Sequence, residues 1–68
     1  GGADVSIVIY DVAGRRVRTL VNQHRTPGRY QATWDGRSER GDPTASGVYF
    51  CRMKAGSFVQ TRKLVLLK

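Results

Sequence analysis

The chain has 68 residues and carries twelve Lys and Arg against five Asp and Glu, a formal net charge of +7. That length supports one domain at most, and a domain so small buries only about 60% of its unfolded surface. Cys51 is the single cysteine and His24 the single histidine, which excludes an internal disulfide and a four-ligand zinc site built from Cys and His.

The first extended run is Val5-Ser6-Ile7-Val8-Ile9-Tyr10, rich in the β-branched and aromatic residues that strands favour. Val5, Ile7 and Ile9 share one face, and Val8 and Tyr10 the other. Asp11-Val12-Ala13-Gly14 breaks the run as a hairpin loop, with Asp11 bonding local backbone and Gly14 accepting positive φ. Arg15–Asn22 fits two periods. Val17, Leu20 and Val21 have helical spacing, while Val17, Thr19 and Val21 alternate as in a strand. Its position directly after a hairpin turn favours the strand.

Gln23–Gly28 is a polar connection ending in the turn pair Pro27-Gly28. In Arg29–Trp34 the residues Tyr30, Ala32 and Trp34 alternate with polar ones, predicting a half-buried strand. Asp35–Thr44 is a loop with turn residues at Asp35, Gly36 and, just beyond, Gly47. Val48–Met53 and Phe58–Leu67 are the last two strands, joined at two-residue hairpin spacing near Ala55-Gly56. Five short strands without a helix predict an all-β sandwich or small barrel. The expected core is Ile7, Ile9, Val17, Tyr30, Trp34, Val48 and Phe50, with Trp34 and Tyr49 as large aromatic anchors.

Several of these pieces resemble a known family. Val8–Val21 is similar to a hydrophobic-Tyr-Asp-x-x-Gly-Arg-x-Val-Arg-x-Leu stretch. The likeness continues through Gly28-Arg29-Tyr30, Trp34-Asp35-Gly36-Arg37, Gly41, Ser46–Phe50 and Arg62–Lys68. These resemble, in order, the FlgD-type Ig-like domain family, typified by the C-terminal region of the flagellar hook-capping protein. The same family includes C-terminal sorting domains of proteins exported by type IX secretion. The resemblance implies a small immunoglobulin-like β-sandwich of five to six antiparallel strands. It also implies a non-catalytic role within a larger protein, export through the periplasm to the medium or cell surface, and protein partners.

Carried over by position, the residues read by the export machinery would be Lys63, Leu64, Val65, Leu66, Leu67 and Lys68. The family usually opens with an Asn-Pro-Phe-Asn-Pro-type strand, which this chain lacks, so the sandwich is expected to be incomplete at its N-terminus. Cys51 stands where an aromatic is common.

Other readings of the same residues are weaker. Asp11, Asp35 and Asp42 are too loosely spaced to specify a calcium site. Arg37 follows the Asp35-Gly36 turn and could reach back to Asp11 or Asp35. His24 and the serines form no nucleophile constellation, so neither an enzyme nor a cofactor is expected. The charge admits a polyanion partner, but the cations are scattered from Arg15 to Lys68, which disfavours nucleic acid. No run approaches the ~20 apolar residues of a membrane span.

Thr61–Leu67 carries basic residues and a bare apolar end. As an edge strand it could pair with another chain, either a secretion component or a second copy supplying the missing strand; as a central strand it would be core.

Overall fold

The computed structural model describes residues 2–25 and 33–67. Among these residues four strands are formed: β1 (Ala3–Tyr10), β2 (Arg16–Arg25), β3 (Gly47–Ala55) and β4 (Phe58–Leu66). All pair antiparallel in one open sheet of order β2-β1-β3-β4. This all-β sheet is consistent with a small, incomplete Ig-like domain. Of the strand expected at Arg29–Trp34, residues 29–32, Tyr30 among them, lie outside the described residues, and Thr33 and Trp34 run as loop.

The turns explain the order. Asp11 accepts the Ala13 and Arg15 N–H groups on one carboxylate oxygen, each at 2.9 Å, and its own C=O accepts the Gly14 N–H at 3.0 Å. This closes the β1–β2 hairpin. The β3–β4 hairpin turns on Gly56-Ser57, where Gly56 alone has positive φ (+60°). A type II′ turn needs that at its first central position, and its twist matches that of the strands.

Residues directly opposite in a sheet share a face, so the register assigns the faces. Ile7 lies opposite Met53, Ile9 opposite Cys51 and Tyr49 opposite Leu64. On this face Ile9 is fully buried, and Ile7 and Tyr49 nearly so. Val48 and Phe50 were expected in the core. They belong instead to the other face with Val8, Tyr10, Arg52 and Lys54, where Val48 is 36% exposed. The charges at Arg52 and Lys54 hold that side of β3 in water, and Tyr49, Cys51 and Met53 take the inner side.

β2 follows β1 through two register shifts, which leave Leu20 and Val17 as extra residues. Leu20 turns into the apolar face, and Val17 is half-buried. The segment 33–46 folds over one end of that face. Trp34 meets Tyr49 edge-on, with ring centroids 5.0 Å apart at 65°. The Tyr49 hydroxyl donates to the Ala45 C=O at 2.6 Å, and the Trp34 Nε1–H to the Arg37 C=O at 2.9 Å. Gly36 is buried against Leu66, where a Cβ would meet Leu66 Cδ1 at 3.4 Å.

Candidate protein-binding edge at strand β4

The sheet has two edges, β2 and β4. Antiparallel bonding alternates along a strand, so the hairpin sets which backbone groups of β4 face β3. Ala55 and Phe58 close the two-residue turn. From there, Phe58, Gln60, Arg62, Leu64 and Leu66 bond to β3 without a register shift. The Gly56 N–H donating to the Asp4 C=O at 3.2 Å fits the same parity, since it directs even-numbered groups of β3 towards β1. The N–H and C=O groups of Val59, Thr61, Lys63 and Val65 therefore point away from the sheet.

The side chains of β4 alternate as well. Leu64 and Leu66 face inwards and help to line an open apolar trough of about 540 Å³ with Ile7, Ile9, Leu20 and Met53. Arg62, opposite Cys51, shares that face but is exposed. Lys63, opposite Phe50, and Val65, 60% exposed, project from the other face. Leu67 follows the strand and is 82% exposed, and Lys68 lies outside the described residues. Thus the six residues singled out at the end of the sequence do not form one patch. Leu64 and Leu66 line the trough, which Val65 also borders although it lies with Lys63 on the opposite face of the strand.

The β2 edge is different. The Glu39 N–H donates to the Val17 C=O at 3.0 Å, and its carboxylate accepts the Thr19 N–H at 2.8 Å. Nearby, the Arg18 guanidinium donates to Asp35 Oδ1 at 2.8 Å. Neither contact is visible in the sequence, because the groups lie 17 and 20 positions apart and one partner is a backbone amide.

Arg37 does not reach a carboxylate. Its guanidinium donates to the Gly41 C=O at 2.8 Å, and only its backbone N–H meets Asp35. Arg18 already occupies that carboxylate, which corrects the expected pairing. Partial burial pushes the Asp35 carboxyl up, but the Arg37 N–H and the Arg18 guanidinium outweigh it and hold it below its ordinary value. Asp11 is held low chiefly by the Arg15 N–H.

Burial raises the Cys51 thiol, with Arg62 opposing, so the thiolate is disfavoured. Among the described residues, no three His, Cys, Asp or Glu side chains come together as a metal site. No helix among them is long and apolar enough to cross a membrane.

Residues 2–57 match the family model of the FlgD Ig-like domain. The chain belongs to the FlgD Ig-like domain family. This family is non-catalytic in general. The match takes in β1, β2, β3 and the following turn, and ends one residue before β4. No curated protein and no solved structure gives a significant match. β4, whose outward groups meet no other described segment, lies beyond the matched residues.

Proposed function

We propose that this chain is a non-enzymatic, secreted Ig-like module of a larger protein that acts by protein–protein contact. Its role is C-terminal sorting or cell-surface attachment, with the outer edge of β4 as the contact. The observation that carries this reading is the contrast between the two borders of the sheet. β2 is capped by Glu39, whereas β4 offers outward backbone groups beside an apolar trough. An extended segment added there would gain main-chain hydrogen bonds and seat alternate side chains beside Leu64 and Leu66.

Fusion of the chain to an exported reporter tests the role. Deleting Lys63–Lys68 is expected to abolish export or surface retention. Because the deletion also shortens the ladder to β3, Lys63→Pro is the companion variant. It removes an outward N–H and keeps every bond to β3. Unchanged export in both variants overturns the reading.

The trough beside a free edge also favours a second reading, a structural subunit assembling with its own copies by strand complementation. A concentration-dependent dimer in size-exclusion chromatography with light scattering would support it, and a monomer at all concentrations would exclude it.

A further inference from the structure

No Asp or Glu lies on strand β4, although Asp4 on β1 borders a hollow with Lys54. Asp4 meets His24 on β2 at 3.1 Å. Asp11 is held by its own turn, Asp35 by Arg18, and Glu39 by the Thr19 amide. Asp42 belongs to the loop around the Arg37–Pro43 bridge. At β4 the balance is one-sided. Arg62 and Lys63 are exposed on the strand itself. Arg52 and Lys54, also exposed, stand next to it opposite Thr61 and Val59. None of these four cations makes an ion pair with a described residue.

We infer that the strand received by β4 is an acidic segment of another protein. It carries Asp or Glu opposite Arg62 and Lys63 and apolar residues opposite Leu64 and Leu66. The inference rests on the reading of β4 as a contact edge and adds the chemistry of what it receives. Three constraints define that segment.

The first is parity. A residue opposite Lys63 exchanges main-chain bonds with it and projects from the outer face, beside the Lys63 side chain. A residue opposite Arg62 projects over the trough face. Adjacent acidic residues therefore serve both cations from opposite sides of one added strand. The second is apolarity. Leu64 and Leu66 border the trough, so the residues facing them must be apolar.

The third is charge, which argues against self-pairing of β4 about Thr61, Arg62 or Lys63. A two-fold pairing of β4 with itself centred on Lys63 sets the two lysines directly opposite. Centring on Arg62 does the same for the arginines, and centring on Thr61 brings the arginines across the diagonal. Like charges opposite one another destabilise a sheet, and each copy adds a net charge of +7. Complementary charge fixes register and rejects wrong partners.

The test uses the full chain and three blocked, fluorescein-labelled peptides of eight residues. Their β-branched and apolar flanks are identical, and the central pair is Glu-Glu, Gln-Gln or Lys-Lys. Anisotropy is expected to rank them Glu-Glu, Gln-Gln, Lys-Lys, with about tenfold between the first and last, the equivalent of ~1.4 kcal/mol. The double substitution Arg62→Glu with Lys63→Glu should reverse the order. Bound Glu-Glu peptide should slow amide exchange at Val59, Thr61, Lys63 and Val65, the pattern of strand addition.

Equal binding of the three peptides overturns the acidic assignment and leaves the edge reading standing. Absence of binding by all three overturns both. Ranking by charge without the alternating protection signals diffuse ionic association with any polyanion, and overturns the inferred strand. A dimer of the full chain at micromolar concentration that the Glu-Glu peptide does not dissociate overturns the acidic segment as the occupant of this edge.

Discussion

The two borders of this sheet meet the same hazard in opposite ways. A free edge presents unpaired N–H and C=O groups to any passing chain, and proteins usually blunt it. β2 is blunted three times over. Two register shifts twist it, Glu39 bonds to the Val17 C=O and the Thr19 N–H, and Arg18 is tied to Asp35 in the same loop. β4 keeps one unbroken register along its nine residues, and among the described residues what guards it is the charge of Arg62 and Lys63. Arg62 and Lys63 repel a like-charged edge but admit an acidic one. A closed border and a selective border thus coexist on one small sheet, and the loop 33–46 makes the difference by docking towards β2.

Breaking that docking has the largest expected effect. Tyr49 packs against Trp34 and holds Ala45. Tyr49→Ala should destabilise the protein by about 3 kcal/mol in urea unfolding and free the Thr19 amide to exchange. Val48→Ala, on the exposed side of the same strand, should change stability by less than ~0.5 kcal/mol. Proline scanning along β4 sharpens the contrast next. Arg62→Pro removes a ladder bond to β3 and should cost about 1 kcal/mol more than Lys63→Pro, which does not. Equal losses would mean that the parity assigned to β4 is wrong.

Opening the closed border by Glu39→Ala should cost about 1 kcal/mol or less, since the bond is exposed. Its clearer sign is faster exchange at Thr19 with the amides of β4 unchanged. Smallest is the acid response. Asp11 and Asp35 both have pKa values lowered from 3.8 in the folded state. Each therefore favours folding above that value, and the contribution is lost as pH falls through the still lower folded value. Stability should decline below about pH 4, and Asp11→Asn should flatten that decline in acid titrations followed by circular dichroism.

Much of the sheet is written in local pattern. β1, β3 and β4 are rich in β-branched and aromatic residues, and Asp11, Gly14 and Gly56 mark their turns, so strand identity and order along the chain are legible. β2 is harder for a physical reason. The extra residues at Val17 and Leu20 break the period of two, and the spacing Val17, Leu20, Val21 that results imitates a helix.

The phase of β3 was also open to misreading, because Val48-Tyr49-Phe50 is apolar on both sides. The cations two and four positions beyond Phe50, Arg52 and Lys54, mark the wet face and would have assigned Tyr49 inwards. Which border is closed has no signal in the sequence, since Glu39 meets backbone groups 20 and 22 positions away. The partner of Arg18 is hidden in the same way. The resemblance to the FlgD-type family supplied the architecture, while the state of each edge emerges only from tertiary contacts.

Amide hydrogen exchange along β4, read residue by residue by nuclear magnetic resonance on the free chain, tests the open border most directly. The amides of Val59, Thr61, Lys63 and Val65 should exchange rapidly, while Gln60, Arg62, Leu64 and Thr19 are protected. Uniform protection along β4, or rapid exchange at Thr19, would contradict the account.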